Sequence, residues 1–286
     1  MNPKNSIYYG IIHNRYKVPE IDNYLLKEIF NAHVFFIDNV ADYYYSISKK
    51  DEWHETDFPN IAPPLEIMWF EWNIPKTIYS NGELISFTRN YKNALLIKSF
   101  KTENKGWKYI CNPFASLDSL EDLKRDNPII IENIPSDGNS LNIRCIKIDD
   151  AKQTINFKVS DFDISTLWIN PVFLALSFIH CRNVQIVPKG KGVLHKSRDR
   201  NAPSFRYHLL QIDPMKRVLA EAAEKNNTNI KMALHICRGH FKDYRNGPGL
   251  FGKFKDVYWW DQQLRGDLSL GYVDKDYIPP SKEEAS

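Results

Sequence analysis

Between residues 83 and 160 the chain repeats one pattern, a short β-branched or aromatic run followed by turn residues. The runs are "ELISFTRNY", "NALLIKSF", "GWKYICN", "IIIENI", "LNIRCIKID" and "TINFKVSD". "YSNG" (79–82) and "SDGN" (136–139) supply turn chemistry. This spacing predicts an antiparallel sheet. The preceding segment "APPLEIMWFEWNIP" (62–75) alternates Ile67, Trp69 and Glu71 with Met68, Phe70 and Trp72, and proline stops it at both ends. It is expected to join the same sheet. Glu66 and Glu71 sit inside its aromatic run. A carboxylate there is either a base with a raised pKa or a paired structural group. Asp118 to Lys124 read as a helical turn or two.

Helical spacing governs residues 21–48, "IDNYLLKEIFNAHVFFIDNVADYYYSIS". Leu25, Ile29, Ala32, Phe36, Val40 and Tyr43 form one stripe, and Leu26, Ile37 and Tyr44 widen it. Asp22 is placed as N-cap, with Ile21 stapled onto Leu26. A second, apolar helix is expected over 169–183, with Pro171 in its first turn and His180 near its end. A third is expected at "DPMKRVLAEAAEKNN" (213–227), with Asp213 as its cap. The fold class that follows is α+β: an N-terminal long helix, a central antiparallel sheet and a C-terminal basic β-α-β-β unit. The expected division is residues 1–184, residues 185–280 and a frayed tail at 281–286.

At 286 residues and 43% hydrophobic content the chain has enough apolar material for a core. No apolar run reaches the ~18 residues of a membrane span. The N-terminus lacks a signal-peptide layout, because His13 and Arg15 interrupt its short apolar part. A soluble, cytoplasmic protein is the expectation. Cys111, Cys145, Cys181 and Cys237 form no CxxC pair and read as free thiols.

The net charge of +3 conceals an asymmetry. Residues 182–265 hold 17 Lys/Arg against seven Asp/Glu, a net of +10, so the remainder carries −7. A basic region in an otherwise acidic chain suits a polyanion, RNA or DNA. Its first part, residues 187–208, reads as an exposed basic loop with Lys189, Lys191, Lys196, Arg198 and Arg200. Its second part is rich in glycine: six of the chain's 12 fall within 239–271. Lys253, Lys255 and Arg265 lie there beside aromatics such as Trp259. Cations meet phosphates and flat rings stack on bases. The competing reading is a twisted hairpin with aromatics inside and lysines outside. "GLFGKFK" has neither Walker nor dinucleotide spacing, and no cofactor is called for.

Chemistry concentrates in "HICRGHFKDY" (235–244). In a regular strand His235 and His240 point to opposite faces. A bulge at Gly239 would bring them together. Converged, they suit two chemistries. One is a metal site using His235, Cys237 and His240 with His180 or Cys181, although the spacing matches no zinc signature. The other is metal-independent phosphodiester cleavage. There His235 and His240 act as acid and base, Arg238 or Lys253 meets the developing charge, and Tyr244 positions the phosphate. Binding without chemistry, by a nucleic-acid regulator or a protein-interaction module, stays open beside both.

The run "HICRGHFKDYRNGPGLFGKFKDVYWWDQQLRGD" resembles the C-terminal hallmark of an uncharacterised family from bacteria, phages and mobile elements. That hallmark is His-x-x-Arg-Gly-His-Phe, then Leu-Phe-Gly, Tyr-Trp and a closing Arg-Gly. "APPLEIMWFEW" and the basic stretch before "YHLLQI" are similar to it too. Gln263 stands where the family often has a histidine. The resemblance implies a mobile-element context and no mechanism. At the level of fold class alone, the strands also resemble small metal-independent ribonuclease toxins.

Overall fold

The structure is a computed structural model. It describes residues 5–13, 21–47, 58–80, 83–86, 90–117, 123–140, 143–148, 154–157, 164–190, 205–212, 233–237, 240–250, 252, 254–260, 263–265 and 267–273. The chain forms two compact units, Met1–Ile212 and Asp213–Ser286. The first unit contains α1 (Ile7–Ile12), α2 (Asn23–Asn31), β1 (His33–Phe36), α3 (Asp38–Ile47) and β2 (Ile67–Ile74). Then come β3 (Thr77–Ser80), β4 (Glu83–Ser86), β5 (Tyr91–Lys101), β6 (Trp107–Leu117), β7 (Leu123–Arg125) and β8 (Ile129–Ile134). It ends with β9 (Arg144–Ile148), β10 (Thr154–Phe157), α4 (Ile164–Ile179), β11 (Val184–Gly190) and β12 (Arg206–Ile212).

Among the described residues, one sheet runs β10-β9-β8-β6-β5-β2-β1-β12-β11, with β7 added on β6. From β10 to β2 every pairing is antiparallel, as the turn-punctuated pattern predicts. Beyond β2 the sheet is mixed, because β1 runs parallel to both β2 and β12. β11 and β12 complete this sheet, so the compact units divide after Ile212, not after residue 184. Lys124, expected in a helical turn, lies in β7, and residues 118–122 are outside the described residues.

The long N-terminal helix is not present. Asp22 does cap a helix, its carboxylate accepting from Leu25 N at 2.7 Å. Ala32 then leaves helical space (φ −72°, ψ 142°), and "HVFF" forms β1 before α3 begins. The reason is burial on both sides. Val34, Phe35 and Phe36 are at most 2% exposed, and the strand pairs along both edges. Parallel strands buried on both faces read as continuous apolar runs, which carry no period of their own. Returning from β1 to a parallel β2 requires a crossover, and α3 lies within it.

Helices pack against both faces. Ile7, Tyr8 and Ile11 of α1 and Leu25 and Ile29 of α2 share a core with Val34, Phe36, Trp69, Leu96 and Phe114. On the opposite face Trp72 Nε1 donates to Tyr45 Oη of α3 (3.4 Å), and Asn170 of α4 donates to Tyr44 Oη (3.2 Å). α4 starts earlier than expected and encloses Pro171. It is apolar all round, the mark of a core helix, and Val172, Leu174, Ala175 and Leu176 are fully buried. His180 ties its end to the sheet side by a 2.8 Å hydrogen bond to Ala62 O. No described helix is long and apolar enough to cross a membrane. Cys111, Cys145 and Cys181 are buried thiols that form no disulfide.

Glu71 is the one fully buried carboxylate among the described residues. Its Oε1 accepts from Ile7 N (2.6 Å), and its Oε2 accepts from Tyr8 N and Trp69 Nε1 (both 3.1 Å). Ile7 and Tyr8 open α1, whose first amides have no partner within the helix. Glu71 is thus a structural anchor that fixes α1 to the sheet. Burial pushes its pKa from about 4.5 up to about 7, against the pull of the three donors and of Lys92. A raised folded-state pKa gives stability that is full below the ordinary value and is lost as pH rises through the folded one. The stability difference between wild type and Glu71→Gln should therefore shrink from pH 4.5 to 7 and level off above. The amide also leaves one donor unmet, so in urea titrations at low pH the variant should be weaker by about 1–3 kcal/mol.

Candidate nucleic-acid interface

The second unit contains β13 (Ala233–Cys237), β14 (His240–Asp243), β15 (Val257–Trp260), β16 (Gln263–Arg265) and β17 (Asp267–Val273). Among the described residues they form a three-stranded sheet, β16-β13-β17, and a two-stranded sheet, β14-β15. The expected helix at 213–227 and the tail at 281–286 lie outside the described residues.

The "HICRGH" segment spans two sheets. β13 ends at Cys237 and β14 begins at His240. Arg238 and Gly239, where a bulge was expected, lie outside the described residues. In register, His235 pairs with Arg265 on β16 and with Val273 on β17. His240 pairs with Trp260 in the other sheet. Lys191, Lys196, Arg198, Arg200 and Lys253 also lie outside the described residues.

The β14-β15 hairpin is the best-defined part of the site. Its register is His240↔Trp260, Phe241↔Trp259, Lys242↔Tyr258 and Asp243↔Val257. Opposed residues share a face and alternate along the strand. One face therefore carries His240, Lys242, Tyr258 and Trp260, and the other carries Phe241, Trp259 and Val257. All four β15 residues are buried, whereas His240, Lys242 and Asp243 on β14 are exposed. Trp259 was expected to stack on a base. Instead it is 3% exposed and meets Phe241 edge-on at 4.7 Å, so its ring belongs to the hairpin core.

Lys242 is the cation with a defined seat. Its Nζ lies 5.1 Å from the Tyr244 ring and 5.6 Å from the Trp260 ring. Such contacts hold an ammonium over aromatic faces while leaving it open to an anion. Tyr244 packs on Leu250, Tyr258 and Trp260, and its amide donates to Asp256 O at 3.0 Å. It is half-buried beside the Lys242 ammonium. Asp243 is occupied by Arg245, whose guanidinium lies 2.7 Å from it and holds its carboxyl below the usual range.

The loop from 244 to 256 is shaped by glycine. Gly249 (φ 85°) and Gly252 (φ 71°) take left-handed conformations in a turn closed by Gly252 N on Gly249 O (3.2 Å). Leu250 and Phe254 then exchange backbone hydrogen bonds of 2.8 and 3.1 Å. This turn presents Phe254, 50% exposed, next to the exposed Lys255. Lys189 belongs to the first unit instead. It lines an open groove of about 520 Å³ with Phe36, Val187 and Leu209, near the carboxyl ends of β1 and β12.

In the sequence Lys242 is one of several basic residues beside the glycines of 239–271, with nothing local but its alternation with His240 to single it out. Among the described residues no group of three or more His, Cys, Asp or Glu could hold a metal ion. Comparison with known protein families, with curated proteins and with solved structures gives no match.

The two roles within the hairpin separate by stability. Trp259→Ala should cost about 3–5 kcal/mol, as for other buried aromatics. Lys242→Ala should cost under about 1 kcal/mol, the worth of an exposed cation–aromatic contact. Denaturant unfolding of the two variants beside wild type checks both.

Proposed function

We propose that this protein binds RNA or DNA through the exposed β14 edge and the adjoining glycine turn. Lys242 and Lys255 meet backbone phosphates, and Phe254 offers an open ring for a base. Tyr244 and Trp260 hold Lys242 in place. The observation that carries this reading is the ammonium of Lys242 seated over two rings on the same exposed edge as His240. Cations interleaved with aromatic faces grip single strands with little regard to sequence. The mobile-element context implied by the motif resemblance agrees with a nucleic-acid partner.

The exposure of His240 on the Lys242 face favours a second reading, a metal-independent ribonuclease. One histidine of the His235–His240 pair would take the proton of a ribose 2′-hydroxyl. That oxygen attacks the adjacent phosphorus, the bond to the 5′-oxygen breaks, and the other histidine protonates the leaving oxygen. Arg238 and Lys253 would meet the extra negative charge.

Fluorescence anisotropy with a labelled single strand tests the binding reading. Affinity should fall steeply with salt. Lys242→Ala combined with Lys255→Ala should lower the log–log salt slope by about 1.4, at ~0.7 per phosphate contact on single strands. Binding that ignores salt, or no binding, would overturn it and favour a protein partner. Incubation with RNA in EDTA tests the catalytic reading: cleavage by wild type, absent in His240→Ala at unchanged affinity, supports it, and intact RNA refutes it.

A further inference from the structure

A second cluster of titratable groups lies on the large sheet of the first unit, independent of the hairpin. The parallel ladder pairs Val34 with Tyr207 and Phe35 with His208. Extended by one step, that register sets His33 opposite Arg206, and both act on His208 electrostatically. Side chains alternate along strands, so His33, Phe35, Arg206 and His208 share one face. The His33 and His208 rings lie 6.1 Å apart.

His208 is held from two directions. Its ring ends a stack of Phe70 on Phe35 (5.2 Å, 19°) and Phe35 on His208 (5.0 Å, 28°). Its Nδ1 lies 3.1 Å from Val34 O. A carbonyl has no proton to give, so Nδ1 carries the hydrogen and donates it. The neutral ring then presents a bare Nε2. Burial first, with His33 and Arg206 adding, holds the His208 pKa below its ordinary value, against the hydrogen bond to Val34. At neutral pH His208 is a fixed proton acceptor.

Its neighbours are cationic or polar. His33 and Arg206 are exposed, and neither has an ion-pair partner among the described residues. Gly190, opposite Arg206 on β11, has no side chain to cover it. A guanidinium beside two imidazoles, with no carboxylate of the described residues paired to it, attracts an anion and repels a metal ion. The bare Nε2 adds an acceptor that a simple anion cannot use but a hydroxyl can.

We propose that His33, Arg206 and His208 form a binding site for a phosphate ester with a neighbouring hydroxyl, the chemistry of a ribonucleotide. Arg206 and His33 receive the phosphoryl oxygens, and His208 Nε2 accepts the hydroxyl hydrogen bond. The site stands whether or not the hairpin binds nucleic acid.

Imidazole ¹H–¹⁵N NMR of the full chain, selectively labelled at histidine, tests it with adenosine 3′-monophosphate and its 2′-deoxy counterpart. Saturable shifts of the His33 and His208 signals are expected, with the ribose form roughly fivefold tighter, the ratio one net hydrogen bond supplies. Arg206→Met should abolish the shifts while the His180 signal, remote on α4 and bonded to Ala62 O, reports an intact fold. Adenylyl-(3′→5′)-adenosine as a third probe assigns the source: tighter binding than the mononucleotide points to RNA, weaker binding to a free nucleotide. No saturable shift, equal affinity for ribose and deoxyribose forms, or shifts with Zn²⁺ but neither nucleotide would overturn the site.

Discussion

The first unit depends on β1, "HVFF", whose Val34, Phe35 and Phe36 are buried between two parallel neighbours. Each buried aromatic or branched side chain there contributes about 1.5–3 kcal/mol relative to exposure. Both ladders must form for the backbone of β1 to be satisfied. That demand recruits β2 across a crossover and β12 from far along the chain. It also sets what surrounds the strand. Phe36 lies in register with Glu71, whose carboxylate holds the start of α1. Asn39, just after β1, donates to Leu210 O at 2.9 Å and secures the far end of β12. Pro188 interrupts only β11, the last strand of the described sheet, where a missing donor costs least.

Much of this was legible in the sequence. The antiparallel half follows from alternating runs and turn residues, and Gly138 takes the left-handed conformation (φ 78°) expected of "SDGN". The Asp22 cap was legible because its chemistry is local. β1 was not. Phe36 falls on the helical stripe set by Leu25 and Ile29, and the flanking segments are helical. A short apolar run between two helices takes its apparent period from its neighbours. Only distant partners reveal the strand.

The same division holds for the sites. His240 and Lys242 alternate in sequence, so their shared face was readable once a strand was expected. The burial of Trp259 matches the competing reading of a hairpin with its aromatics inside; the sequence alone did not choose it over base stacking, because consecutive aromatics in β15 bury both faces of the strand and leave no alternation. His33, Arg206 and His208 come together only through a parallel pairing of distant segments. The two cationic sites also differ in kind. Lys242 lies over rings and offers charge. His208 is held in a stack and offers a lone pair. The first suits a repeating anionic backbone and the second a particular arrangement of phosphate and hydroxyl.

The parallel seating of β1 is tested most directly by NOE spectroscopy across residues 31–38. Strong sequential Hα–HN contacts through Val34, Phe35 and Phe36 are expected, with cross-strand contacts to Tyr207, His208 and Leu209. An unbroken series of sequential HN–HN contacts from α2 into α3 would mean one continuous helix. It would contradict both the sheet and the proximity of His33 to His208.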